Sequence, residues 1–264
     1  MHTTSTTTTS SASPRSVAAA RTTRRGLIRG FGALAAGGIT TALAGPAASG
    51  ATTGARATLR RLSRHPDVYE LERRLTSLRF YPGVVSTFFG NQTQQAVWAF
   101  QKSQGLVPDG VVGPLTWEAL DRPRRVWTAT TRGWFIEVDL DRQLLMYVKN
   151  GDVVEVHNTS TGNGEGYTYR GRWYPHARTP RGTWWDMWNA DSGWRVGELG
   201  RMWRPYFFAP GGYAIHGSTF VPPYPDSHGC ARLSVQAMDR MIRRGYINTA
   251  RNVHVYGTGP HQRG

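Results

Sequence analysis

The chain contains a single cysteine, Cys230, in the run Ser227-His228-Gly229-Cys230-Ala231-Arg232-Leu233-Ser234. Two histidines lie close to it in sequence. His228 is inside the run, and His216 is upstream in Ile215-His216-Gly217-Ser218. The thiolate is the reactive form of cysteine, and an imidazole partner lowers a thiol's pKa. Acyl transfer by a thiol is therefore the first chemistry these residues suggest. Two alternatives use the same side chains. A lone cysteine can be a small apolar core residue. His216, His228 and Cys230 together also make three N/S ligands, which with a water would form a catalytic zinc site. No pair of carboxylates stands out for glycoside hydrolysis.

The elements that must hold these residues begin after a distinct N-terminal stretch. Arg15, Arg21, Arg24, Arg25 and Arg29 fall within residues 1–44, which contain no acid. The order is basic residues through Arg29, a weakly apolar, glycine-rich segment, then Ala42-Leu43-Ala44. That is the order of a signal peptide, to be left out of fold reasoning. Thr23-Arg24-Arg25-Gly26-Leu27-Ile28-Arg29 resembles a twin-arginine export signal. Export would make an unpaired cysteine notable, because it has no internal disulfide partner. No uninterrupted apolar run of about eighteen residues is present, so no permanent membrane anchor is expected. The net charge of +15 favours an anionic partner. Nucleic acid, anionic lipid and cell-wall polymer all qualify on charge alone.

Residues 45–65 read as a linker. From Pro66 the spacing of Val68, Leu71, Leu75 and Leu78 predicts an amphipathic helix. Phe89-Gly90-Asn91-Gln92-Thr93-Gln94-Gln95-Ala96-Val97 is then echoed by Val112-Gly113-Pro114-Leu115-Thr116-Trp117-Glu118-Ala119-Leu120. Both copies read as a turn entering a helix, so 66–121 is expected to be a small three-helix bundle. A second linker, 122–131, leads to a mainly β domain over 132–258, with a short tail at 259–264. Strands are expected at Trp134–Leu140, Gln143–Val148, Val153–Val156 and Val253–Tyr256, in an antiparallel, sandwich-like fold. Asn150-Gly151 between two of them is a hairpin signal. Val235–Arg244 is the one helix expected there. Six of the ten tryptophans fall between Trp173 and Trp203, either as an aromatic cleft or, preferred here, as core and loop packing. His157, His176 and His254 lack a motif and read as ordinary histidines.

Two family resemblances sharpen this reading. Tyr81-Pro82-Gly83, Phe89-Gly90, Thr93, Phe100-Gln101, Asp109-Gly110 and Val112-Gly113-Pro114 make 66–121 similar to the peptidoglycan-binding type 1 domain. Its Ser86-Thr87 stands where that family usually has Asp-Gly. Thr179-Pro180-Arg181-Gly182-Thr183, Ile215-His216-Gly217-Ser218 and Ser227–Ser234 make 132–258 resemble the L,D-transpeptidase (YkuD-type) catalytic domain.

The second resemblance implies roles. Cys230 would be the nucleophile and His216 the base, oriented by the backbone carbonyl of Gly217. Many members have serine at 217, but a carbonyl role tolerates any side chain. The amides of His228, Gly229 and Cys230 would stabilise the oxyanion, with His228 also shaping the turn. Arg232, a cation suited to a carboxylate, would contact substrate together with Ser227 and Ser218. The substrate would be a peptidoglycan tetrapeptide stem and the product a 3→3 cross-link. Water as acceptor would make the enzyme an L,D-carboxypeptidase. A zinc peptidase and a non-catalytic wall-binding protein are the other readings. No cofactor, metal or nucleic acid is expected. The expected partners are peptidoglycan and, through the signal peptide, the export machinery, placing the mature protein at the cell wall.

Overall fold

A computed structural model describes residues 56–163, 168, 171–173, 193–197, 200–209 and 211–259. The expected signal peptide, the 179–183 segment, His176, and Trp184, Trp185 and Trp188 lie outside these residues. The described residues belong to one compact unit.

A helical N-terminal region comes first, with α1 (Pro66–Ser77), α2 (Asn91–Gln104) and α3 (Pro114–Asp121). Val68, Leu71 and Leu75 form the fully buried stripe of α1. The repeated glycines are helix N-caps, Gly90 for α2 and Gly113 for α3. Thr93 accepts the amide of Gly90 and donates to the buried carboxylate of Glu72, tying α2 to α1.

The remainder is mainly β, in two sheets. The first has the order β3 (Asp152–Asn158), β2 (Leu144–Lys149), β1 (Trp134–Asp139), β9 (Asn252–Tyr256), β4 (Gly171–Trp173). The second has the order β5 (Trp194–Gly197), β6 (Gly200–Ala209), β7 (Tyr213–Ser218), β8 (Ala231–Ser234). A fourth helix, α4 (Val235–Arg243), follows β8 directly, with Ser234 as its N-cap. Asn150 and Gly151 both take positive φ, at 52° and 84°, and close the β2–β3 hairpin in two residues. That is the turn whose twist matches paired strands.

The antiparallel expectation needs correction, because the sheets are mixed. β1 pairs with β9 in parallel, and so does β7 with β8. A parallel pair needs a long crossover rather than a hairpin, and glycine and proline breaks along the sequence do not reveal one.

β2 explains how the two regions join. Its sequence, Leu144-Leu145-Met146-Tyr147-Val148, is an unbroken apolar run, as expected of a strand covered on both faces. Leu145 and Tyr147 pack with Ile136, Val138, Phe208, Ile215 and Leu233 between the two sheets. Leu144, Met146 and Val148 turn the other way, into a cluster with Leu71, Phe80, Phe89 and Phe100 of the helical region. Phe80 also bridges to Val156 of β3. The helices thus have a share in the core of the sheet.

Buried polar groups close the remaining seams. Glu137 of β1 is fully buried and accepts the amides of Ala129 and Thr130, so the 122–131 segment covers the outer face of that strand. His157 is a buried hydrogen-bond partner. Its Nε2 lies 2.8 Å from Glu155, which also takes a two-pronged contact from Arg240 of α4. Burial alone would raise the Glu155 carboxyl, but His157 and Arg240 outweigh it and hold the pKa at about 2.

A shared core makes one cooperative unit. Phe100→Ala is expected to cost about 3–5 kcal/mol. Helix-sensitive circular dichroism and tryptophan fluorescence should report the same denaturation midpoint in wild type and variant. Separate transitions would contradict a common core.

Candidate active site

β7 carries His216, and β8 begins one residue after Cys230. The parallel register sets Ile215 opposite Ala231 and His216 opposite Arg232. Side chains alternate between faces along a strand. Ile215, Ala231 and Leu233 therefore enter the core and are almost completely buried. Ser218, His216, Arg232 and Cys230 take the opposite face and line one cavity of about 750 Å³. Cys230 immediately precedes β8, two residues before Arg232, the register partner of His216. Arg201, Phe207 and Tyr213 line the same cavity.

The imidazole is held in one orientation. His216 Nδ1 donates to the carbonyl of Gly217 at 2.9 Å, which fixes the tautomer and leaves Nε2 without its proton. The ring is nearly buried, and burial pulls its pKa down to about 4. The Gly217 carbonyl opposes that shift, and the Arg232 charge adds to it. Burial also pushes the partly exposed Cys230 thiol up, with a backbone contact at Ala214 and Arg232 acting against it. The resting pair is therefore neutral thiol and neutral imidazole, not a preformed ion pair.

Residues 219–230 make the crossover between β7 and β8, and polar contacts fix their path. Ser218 Oγ accepts the amide of Phe220 and donates to its carbonyl, so it starts the turn out of β7. The chain after β3 forms a bed beneath the crossover. Ser160 Oγ donates to the Tyr224 carbonyl, and the amides of Asp226 and Ser227 both donate to Thr161 O. Arg232 pairs with Asp226 at 2.8 Å, clasping the crossover to β8. Its charge thus meets a carboxylate of the fold.

Ser227 is almost fully buried and donates to the carbonyl of Cys230 at 2.6 Å. It also accepts the amide of Gly229 at 3.0 Å. The Gly229 N–H, expected as an oxyanion donor, thus hydrogen-bonds Ser227 in this structure. What the turn needs from Gly229 is its φ of 130°, a conformation L side chains rarely adopt. Ser227 likewise builds the turn, its hydroxyl spent on backbone. His228 is exposed at the cavity wall.

Gly217 has a requirement of its own. Trp203 of β6 is its register partner, and a Cβ on Gly217 would lie 2.9 Å from the Trp203 side chain. Trp203 is anchored by donating to Asp239 of α4 at 2.8 Å. β6 is irregular here, with a register shift between Trp203 and Tyr206 and a positive φ at Arg204 before Pro205. Bulges of this kind gather beside functional sites. Sequence reasoning missed Trp203, Asp226 and the 158–161 bed. Asp226, the one acid next to the cysteine run, carried a signal, but the others carried none. Among the described residues, no group of three or more His, Cys, Asp or Glu is placed to hold a metal ion.

Family comparisons agree with this geometry. The L,D-transpeptidase catalytic domain matches residues 133–255, and the peptidoglycan binding domain matches 64–120. An L,D-transpeptidase structure from Xylanimonas cellulosilytica is 38% identical, covering 77% of this chain and 99% of that one, with a TM-score of 0.68. The chain belongs to the L,D-transpeptidase family. Two curated proteins match shorter stretches. The N-acetylmuramoyl-L-alanine amidase CwlM of Mycobacterium tuberculosis is 44% identical over 54 residues, 20% of this chain. An uncharacterized protein in the bpoA1 3' region of Kitasatospora aureofaciens is 51% identical over 45 residues, 17% of this chain. The matches span only 13% and 38% of those two proteins. The close approach of Trp203 leaves room for glycine alone at 217 without a shift of the neighbouring side chain.

Gly217→Ser is accordingly expected to displace Trp203 at a cost of about 1–3 kcal/mol. Turnover should fall with it, read from a thermal midpoint and a rate on the same preparation. With His216 as the base, its depressed pKa is expected to place the acid limb of the rate profile near pH 4 rather than 6.5. It also makes the fold lose stability as pH falls from 6.5 toward about 4, because the unfolded chain takes up a proton the buried ring refuses. A pH–rate profile of acylation checks the first of these, and denaturation at several pH values checks the second.

Proposed function

We propose that this L,D-transpeptidase forms 3→3 cross-links in peptidoglycan, with Cys230 as nucleophile and His216 as general base. The single observation that carries the reading is the placement of both side chains on one face of β7–β8, lining one cavity. With Nδ1 committed to Gly217, His216 Nε2 is the nitrogen left to take the thiol proton.

The donor is a tetrapeptide stem. As the Cys230 thiol gives its proton to His216, sulfur attacks the carbonyl carbon of the third residue, a diamino acid. The developing oxyanion is held by the amides of Cys230 and His228. The intermediate collapses with His216 returning the proton to the leaving amine, and D-alanine departs. The remaining thioester is attacked by the side-chain amine of a neighbouring stem, and His216 takes that proton. An amide replaces the thioester and the thiol is restored. Water in place of the amine would give the L,D-carboxypeptidase outcome.

A neutral resting pair suits an exported enzyme, since a neutral thiol is less easily oxidised than a thiolate. Residues 66–121 act as a three-helix wall-binding module that keeps the enzyme on its polymer. Residues 1–44 direct export through the twin-arginine route, and the mature chain works outside the cytoplasmic membrane. The positive net charge suits a polymer that carries many carboxylates.

Purified wild-type protein should convert a disaccharide-tetrapeptide into a dimer lighter by one alanine, detected by mass spectrometry. Cys230→Ala should abolish both the dimer and the thioester adduct. Undiminished dimer formation by that variant would overturn the assignment.

A further inference from the structure

The helical region reaches the catalytic crossover through hydrogen bonds that a tethered anchor would not need. Gln95 of α2 donates through Nε2 to the carbonyl of Val221, at 3.0 Å, within the 219–230 segment that ends at Cys230. Its Oε1 accepts from Asn158 Nδ2 at 2.7 Å. Asn158 Nδ2 in turn lies 3.3 Å from the carbonyls of both Val221 and Pro222. Two side chains, one from each region, thus share the same backbone carbonyl.

Lys102, two turns further along α2, supports the other side of this contact. Its Nζ donates to Gln143 O at 2.8 Å, to Thr159 O at 3.4 Å and to Asn158 Oδ1. The Lys102 amine is buried, which pulls its pKa well below the usual lysine value, and these three partners are neutral oxygens. Such a group is retained against its desolvation cost only where those oxygens are fixed in place. Thr159 continues the path, since its hydroxyl donates to the carbonyl of Arg232 at 2.8 Å. Gln92 completes the set by accepting from Ser234 Oγ at 2.5 Å, at the junction of β8 and α4. Apart from the Lys102 bond to Gln143, these contacts end within the crossover, on the bed beneath it, or on β8.

We infer that α2 is a structural strut of the active site, and that Gln95 is a positioning residue which sets the path of the 219–230 crossover and so the place of Cys230. The helical region then does two separate jobs. Its binding function acts on the wall polymer, whereas α2 acts on catalysis even when no polymer is present. The inference rests on the assignment of Cys230 as nucleophile.

A soluble tetrapeptide without glycan separates the two jobs, because wall retention contributes nothing to its turnover. Gln95→Glu is the decisive variant in the full-length mature protein. It keeps the size of the side chain and the acceptor for Asn158, but sets a carboxylate oxygen against the Val221 carbonyl. Gln95→Met, which loses both bonds, is the second variant, so that the reading does not depend on one substitution. The expected result is a fall of about tenfold in kcat with KM unchanged, the scale of one buried hydrogen bond lost. The rate of Cys230 alkylation by iodoacetamide should change in parallel, while the thermal midpoint stays within a few degrees of wild type. Wild-type kcat in both variants, or a loss that tracks only the thermal midpoint, overturns the strut. If wild type itself leaves the tetrapeptide untouched, the transpeptidase assignment fails instead, which keeps the two failures distinct.

Discussion

The parallel pairing of β7 with β8 is the constraint on which the site depends. It is a register, and a register assigns faces. With Ile215 opposite Ala231, the apolar members of both strands enter the core together. His216 and Cys230 are then left on the same outer face. A slip of one residue in either strand would send one of them into the core, because side chains alternate strictly. Burial of Ile215, Ala231 and Leu233 therefore holds the chemistry in alignment without any of them touching substrate.

The same packing sets the protonation of the pair. A nearly buried imidazole stays neutral, and the thiol beside it stays protonated. Arg232 acts on both in a consistent direction, favouring the thiolate and disfavouring the imidazolium. Its own charge is balanced by Asp226, so it also anchors the crossover. The Cys230–His216 pair therefore stores no charge at rest. The backbone carbonyl of Gly217 orients the His216 ring, a place where the serine-protease triad uses a carboxylate.

The helical region and the sheet are joined by covering both faces of one strand. β2 has no solvent face, and its outer side chains complete the core of the helices. The buried polar contacts of Gln95, Asn158 and Lys102 then specify how the two regions meet, since apolar packing alone has little direction. Leaving one of these buried donors or acceptors unmatched would cost about 1–3 kcal/mol.

The sequence by itself determined the local facts. Helical spacing placed α1, and the glycine-threonine repeat placed the starts of α2 and α3. Asn150-Gly151 fixed the hairpin, and the lone cysteine and its histidines were singled out as residues that the structure places around one cavity. These are short-range properties, set by side-chain period and by which residues accept positive φ. Only the tertiary structure decided the long-range ones. That β7 and β8 are parallel, that Gly229 gives its amide to Ser227, and that Trp203 requires a glycine at 217 all depend on segments distant in sequence meeting in space. No local pattern encodes such meetings, because a strand's own residues carry its faces but not the identity of its neighbour.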